Sequence, residues 1–279
     1  MRTRLGIALV TSVFATLVLA QSDRISMVKG APSNYGNYGF DISWVDNSTQ
    51  KYYLTDRTNN AIDLVDAATD TFIGFIGKGQ FTGSRPCPSQ PKNLRHCSGP
   101  NGVVTDDAGH VWAGDGAGNI IEADATKPGT SILRKLPTGG KFRVDELAYD
   151  RKDQMLMVSS DGDMPPFLTF VSVKDGSILG QYKYPAGQDG MEQPVWNAET
   201  GWFYQNVPGS KNRIDVFDPH KLPNPIKSVQ GRCTRSDAQR PDGWSEGASH
   251  DGVWQCRWPV PGSSNGENWQ ANPSGRRHR

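Results

Sequence analysis

The chain has 279 residues, with 30 basic and 29 acidic side chains, and hydrophobic residues make up 35% of it. Binding to nucleic acid or to an anionic membrane surface requires a surplus of Lys and Arg on one face, and the nearly balanced charge gives no sign of one. The composition therefore argues against nucleic acid and membrane as partners and favours small or neutral ones.

The first twenty residues have the pattern of a cleaved secretory signal. Arg2 and Arg4 form a positively charged start, and the segment from Leu5 to Ala20 is apolar and uncharged. Cleavage is expected before Gln21. The apolar run has about sixteen residues, which is short for a bilayer span, and a single membrane anchor is the alternative. The pattern predicts a secreted, extracellular protein.

A unit of about 45 residues recurs from residue 40 to residue 220. Each unit contains four runs in which apolar and polar residues alternate, and turn residues such as Asp107-Ala-Gly separate the runs. The sheet faces of such a unit can be covered only by neighbouring sheets, and radial stacking of four-stranded blades covers them. The sequence therefore predicts an all-β fold, a β-propeller of six-bladed type with about four recognisable blades.

Two sequence motifs, called phrases below, resemble those of known propellers. They are Gly99-Pro-Asn-Gly-Val-Val-Thr-Asp with Val111-Trp-Ala-Gly-Asp, and Tyr53-Leu-Thr-Asp with Ile62-Asp-Leu-Val-Asp. They resemble secreted YVTN and NHL-type propellers and the six-bladed gluconolactonase and senescence-marker group. The resemblance implies the fold but not the activity, since such propellers include lactonases, lyases, isomerases and binding proteins.

The chain divides into a signal at 1–20, propeller blades at 21–230 and an irregular tail at 231–279. The tail is rich in Gly, Ser, Arg, Trp and Pro, and it lacks the strand and turn rhythm of the blades. A six-bladed ring would need about ninety residues more than the four blades supply. Two interpretations are open: the tail is disordered, or it is misread through a shifted exon boundary or frame, so that the last blades are missing.

Cys87 and Cys97 are predicted to form a disulfide, because they close a short loop in a chain that carries a secretion signal. The pairing of Cys233 and Cys256 is left open. The loop between Cys87 and Cys97 is either a recognition element or a spacer. The tripeptide Asn47-Ser-Thr is an N-glycosylation acceptor, so Asn47 is predicted to carry a glycan.

Aligning the blades places four oxygen-bearing side chains where the innermost strands begin: Asp41, Asn101, Asp145 and Glu192. Innermost strands surround the central channel, so these side chains are expected to converge on one mouth of it. The carboxylates among them repel one another unless a cation, protons or bound water compensate them. A divalent metal, calcium or zinc, is one hypothesis, and a water-filled polar channel is the other. The resemblance implies a metal ligand at Asn101, the Asn of the Pro-Asn-Gly phrase.

The leading functional prediction is a secreted propeller that binds a small molecule at this channel mouth, with or without a divalent metal. The resemblance implies an alternative, which is an enzyme: either a metal-dependent lactonase-like hydrolase, or an isomerase or cyclase of small-molecule metabolism. In this enzyme Glu146 or Asp145 would be the catalytic base. A further alternative is a protein-interaction platform at the loop between the two cysteines, or an inactive truncated product. A complete ring is expected to be a monomer.

Overall fold

The computed structural model describes residues 27–31, 39–87, 96–188, 190–208 and 212–230, and the backbone of two short strands at 232–235 and 254–257. The predicted signal and its cleavage site lie outside these residues. Within the described part of the chain, no helix is long and apolar enough to cross a membrane.

The strands of residues 40–230 form four antiparallel sheets, each a meander of four consecutive strands. Blade one contains β1 (Phe40–Asp46), β2 (Lys51–Asp56), β3 (Ala61–Asp66) and β4 (Thr71–Ile76). Blade two contains β5 (Val103–Thr105), β6 (His110–Gly114), β7 (Asn119–Asp124) and β8 (Arg134–Pro137). Blade three contains β9 (Leu147–Asp150), β10 (Met155–Ser160), β11 (Phe167–Ser172) and β12 (Ile178–Lys183). Blade four contains β13 (Glu192–Asn197), β14 (Trp202–Val207), β15 (Arg213–Phe217) and β16 (Lys227–Gln230). The predicted all-β, propeller-like fold with about four blades is confirmed.

The same turn joins the first and second strands of every blade. An Asp or Asn ends the first strand or directly follows it, and its side-chain oxygen accepts a hydrogen bond from the backbone N–H two residues later. The residues in this position are Asp46, Asp106, Asp150 and Asn197, with donor–acceptor distances of 2.8 to 2.9 Å. These turns place the four inner strands in the same register, which brings their first residues to one end of the propeller.

Alternate residues of each strand pack against opposite neighbours, because successive side chains point to opposite faces of a sheet. Val103 and Val111 pack in the apolar core between blades one and two. Their sequence neighbours Val104 and Trp112 pack in the core between blades two and three. A third apolar core, which includes Phe170, joins blades three and four. Strands that read as nearly continuous apolar runs are therefore buried on both faces.

The end blades are more exposed than the middle blades. All of β5 is buried, whereas Phe40 in β1 is 56% exposed and Val195 in β13 is 55% exposed. Within the described residues, no fifth four-stranded sheet lies beside blade one or blade four.

Two further strands lie in the region predicted as an irregular tail. β17 (Arg232–Arg235) and β18 (Trp254–Arg257) pair antiparallel, and their register places Cys233 opposite Cys256. The composition of the tail did not predict this pair. The other residues of 231–279 lie outside the described residues, so both hypotheses on the origin of the tail stay predictions.

Candidate functional site

Backbone contacts bring the starts of the inner strands together. The N–H of Ile42 donates to the carbonyl of Asn101 at 3.4 Å, which joins blades one and two. The N–H of Gly102 donates to the carbonyl of Asp145 at 2.6 Å, which joins blades two and three. Gly102 is required here because a β-carbon would collide with that carbonyl. The Pro-Asn-Gly phrase therefore holds Asn101 between the equivalent residues of its two neighbours.

Arg57, which directly follows β2, connects two of the predicted site residues. Its guanidinium group forms an ion pair with Asp41, and its Nη2 lies 2.5 Å from Oδ1 of Asn101. The amide nitrogen of Asn101 donates to the carbonyl of Val144 at 2.7 Å. Asn101 is fully buried, so both ends of its side chain are held by protein groups.

Arg143 is the second cation of the mouth and is itself buried. Its Nη2 lies 2.6 Å from Oδ2 of Asp145 and 2.7 Å from Oδ2 of Asp161. Its Nη1 lies 3.9 Å from Oδ2 of Asp41. Burial opposes the charge of Arg143, but the hydrogen bonds to Asp161 and the charge of Asp145 outweigh it and raise its pKa. Arg143 therefore stays protonated and neutralises part of the acidic cluster.

Glu146 is the carboxyl group that these arginines leave without a direct partner. It is 6% exposed, and its Oε2 is buried with no hydrogen-bond partner among the described residues. Burial raises its pKa to about 8, and the charges of Glu192 and Asp41 act in the same direction. Burial also raises the pKa of Asp145, although Arg143 opposes the change. At neutral pH, Glu146 is mostly protonated.

Glu192, the fourth predicted residue, differs from the other three in its exposure. It begins β13 on the exposed inner edge of blade four, and its charge acts on Glu146. The structure thus joins Asp41, Asn101 and Asp145 through two arginines, and it places Glu192 within electrostatic range. Sequence alignment of the blades missed Arg57 and Arg143, since neither stands at a repeated position.

The donor set does not fit a divalent ion in the observed arrangement. Oδ1 of Asn101 already accepts from Arg57, and the carboxylates of Asp41 and Asp145 are paired with Arg57 and Arg143. The guanidinium groups supply positive charge of the kind that the hypothesis of a divalent metal would provide. An ion bound by these oxygens would require Arg57 to move away, because two cations compete for the same acceptors.

A second group with metal-ligating side chains lies in blade two, where Nδ1 of His110 is 3.1 Å from Asp106 and 3.0 Å from Glu122. Its carboxylates are already bound by nitrogen donors. Nε1 of Trp112 donates to Asp106 at 2.9 Å, and Nη2 of Arg134 donates to Glu122 at 3.0 Å. This network stabilises the blade by satisfying buried polar groups.

The disulfide between Cys87 and Cys97 is confirmed, with a Cα–Cα distance of 5.1 Å. The loop residues 88–95 lie outside the described part of the chain, so a recognition role for this loop stays a prediction. Asn47 lies exposed in the turn after β1. Its glycosylation also stays a prediction.

No protein-family model matches the chain, and no curated protein matches it. Among solved structures, the hydrazine synthase of Kuenenia stuttgartiensis aligns with a TM-score of 0.49 at 11% identity, over 67% of this chain and 52% of that one. The extracellular domain of a one-component system from B. thetaiotaomicron aligns with a TM-score of 0.48 at 11% identity, over 68% of this chain. The chain spans 24% of that second protein's length.

Proposed function

We propose that the protein binds a small polar molecule at the acidic mouth of the channel. The carboxyl group of Glu146 carries this proposal, because it is buried, faces other charged groups and has an oxygen without a hydrogen-bond partner. An unsatisfied buried acceptor costs about 1–3 kcal/mol, and a ligand that donates a hydrogen bond would recover that free energy.

The charges around Glu146 indicate the class of ligand. Arg57 and Arg143 are already paired with carboxylates, so they offer little to an anion. Glu192 and Asp41 would repel one. A neutral ligand with hydroxyl groups, or a small amine, has the donors that this mouth lacks.

We also propose that the protein acts outside the cell and that further blade-forming chain completes a six-bladed ring. The signal-like first twenty residues and the disulfide support secretion. The resemblance over residues 40–220 supports the additional blades.

A ligand panel tests the binding proposal. Sugars, polyols, lactones and small amines are added to the full-length protein, and melting temperature is measured at pH 6.5. A ligand at one hundred times its Kd stabilises the folded state by about 2.7 kcal/mol. We expect a stabilising compound among the hydroxylated compounds or amines, with the effect lost in Glu146→Leu and retained in the control Glu199→Leu, which alters an exposed turn. A panel without any stabilising compound, or stabilisation that survives Glu146→Leu, would contradict the proposal.

A second candidate function is a lactonase-like hydrolase. The observation that favours it is the pKa of about 8 at Glu146, since a catalytic base works best when its pKa is near the operating pH. In this reaction the ionised carboxylate of Glu146 takes a proton from water as the water oxygen bonds to the lactone carbonyl carbon. The ring C–O bond then breaks as the protonated Glu146 returns this proton to the ring oxygen, which gives a hydroxy acid and regenerates the carboxylate.

Acid release from γ- and δ-lactones, followed with a pH indicator, tests this candidate. We expect the catalysed rate to rise with pH through about 8 and to be lost in Glu146→Gln. Equal rates in the wild type and the variant would contradict it. Repeating the assay with a chelator, and then with added calcium or zinc, tests the metal-dependent form of the hypothesis.

A further inference from the structure

The inner strands enclose a cavity at the end opposite the acidic mouth. Its volume is about 820 Å³, and residues from all four blades line it. The lining lies where the inner strands end, at the turns after β1, β5, β9 and β13, whereas the acidic residues lie where those strands begin. The two regions are therefore separate openings of one channel.

Aromatic and aliphatic side chains form about half of the walls. Trp44, Tyr149 and Trp196 come from blades one, three and four, and Val104 and Leu147 contribute from the buried inner strands of blades two and three. This combination is typical of small-molecule sites, which are concave, mostly apolar and about 300–1,000 Å³ in volume.

Charged groups in the lining already have ion-pair or hydrogen-bond partners. Nη2 of Arg151 lies 2.7 Å from Oδ1 of Asp107. The carboxylate of Asp46 accepts from the hydroxyls of Ser48 and Thr49 at 2.6 and 2.9 Å.

The remaining two ionisable groups of the lining add no available charge. Asp106 is buried and accepts from the indole N–H of Trp112 at 2.9 Å. Burial raises the pKa of Tyr149 to about 12, so its phenol is neutral. An anionic ligand would therefore find no unpaired cation in the lining, whereas Asp46 keeps a negative charge that only hydroxyl groups contact.

The cavity rim exposes apolar groups that are usually covered. Val45 is 47% exposed, Val195 is 55% exposed and Trp44 is 39% exposed. All three line the cavity. Clustered exposure of this kind marks a binding site more often than isolated exposed residues do.

We propose that this cavity is a second ligand site, which takes a neutral, ring-containing apolar compound. The aromatic side chains provide faces on which a ring of the ligand can stack. Burial of the ligand's apolar surface against Val104 and Leu147 stabilises the complex. The proposal is independent of the polar ligand at the acidic mouth, since the two sites share no side chain.

Titration with the neutral fluorophore N-phenyl-1-naphthylamine tests this site in the full-length protein. Its emission rises in apolar surroundings, and energy transfer from tryptophan reports that it is close to an indole ring, two of which, Trp44 and Trp196, line the cavity. We expect saturable binding with tryptophan transfer, at least tenfold weaker in Val195→Arg, which places a charge at the rim. The matched control is Ile178→Arg, at a residue 49% exposed on the outer strand β12, which should bind like the wild type.

A second variant and a mass measurement keep the test decisive. If Val195→Arg does not fold by circular dichroism, Trp44→Leu replaces it and should weaken both binding and energy transfer. No saturable binding, or equal weakening in Ile178→Arg, would overturn the proposal. Sedimentation measures whether the protein is a dimer. A dimer that does not bind the fluorophore would overturn the proposal as well, since a second copy would then cover the cavity. Glu146→Leu should bind the fluorophore normally, so failure at one mouth is distinguishable from failure at the other.

Discussion

The guanidinium group of Arg57 donates two hydrogen bonds to the side-chain oxygen of Asn101, from Nε at 3.2 Å and from Nη2 at 2.5 Å. Arg57 belongs to blade one and Asn101 to blade two, so this contact joins two sheets that also share an apolar core. The same guanidinium pairs with Asp41. One side chain therefore connects the blades and compensates the charge at the channel mouth.

Replacing Arg57 with methionine should destabilise the protein by about 2–3 kcal/mol, because it leaves the buried side-chain oxygen of Asn101 without its donor and the partly buried Asp41 without its nearest cation. Arg57 has a side-chain exposure of 14%. The control is Arg151→Met, which breaks an ion pair between side chains 63% and 49% exposed and should cost at most about 1 kcal/mol. Urea unfolding measures both. Equal losses would show that Arg57 contributes no more than a surface ion pair.

Glu146 should make stability depend on pH. Its pKa is about 8 in the folded protein against an ordinary value of 4.5. The folded state therefore holds a proton that the unfolded state has lost between these values. The stability that this group contributes is complete below pH 4.5 and declines as pH rises to about 8, by at most about 1.4 kcal/mol per pH unit.

The variant Glu146→Gln keeps the shape of the side chain and cannot ionise. We expect it to be more stable than the wild type at pH 8.5, with the difference decreasing toward pH 5. Urea unfolding across this range measures the difference, and Glu199→Gln in an exposed turn is the control. A difference that stays constant with pH would mean that the carboxyl of Glu146 is not shifted as described.

The fold could be predicted from the sequence because its signals are local and repeated. An Asp or Asn at each turn and alternating apolar residues along each strand predict a four-stranded unit, and their recurrence predicts how units stack. The partners of the acidic residues could not be predicted in this way. Arg57 and Arg143 occur once each, outside the repeat, and their positions follow only from the packing of separate blades. The strand pair of Cys233 and Cys256 was missed for the same reason, since nothing in the surrounding composition repeats.

Removing the disulfide should lower the free energy of unfolding by about 2–3 kcal/mol. The bridge joins cysteines ten residues apart and so reduces the conformational entropy of the unfolded chain. The double variant Cys87→Ser, Cys97→Ser removes it. Reductant should lower the melting temperature of the wild type and should have a smaller effect on the variant. If reductant affects both proteins equally, the bridge between Cys87 and Cys97 is not the source of the stabilisation.

The cation at the acidic mouth can be identified by comparing metal responses of two proteins. In the wild type, Arg57 already bonds to Asn101 and Asp41, so adding calcium or a chelator should leave the melting temperature unchanged. In Arg57→Ala, the freed oxygens of Asp41 and Asn101 are donors of the type that oxygen-binding cations prefer. Calcium should then raise the melting temperature, because binding to the folded state alone appears as added stability.

Further substitutions locate that response. Adding Asn101→Ala to Arg57→Ala should abolish the calcium effect, since it removes an oxygen donor, whereas adding Asp175→Asn, in an exposed turn, should leave it intact. Isothermal titration of the same proteins with calcium gives the stoichiometry directly. Stabilisation of the wild type by calcium, with loss of that effect in Asn101→Ala, would show that a metal rather than Arg57 occupies the mouth. In that case the metal-dependent alternative replaces the arginine-compensated site, because both cations depend on the same Asn101 oxygen.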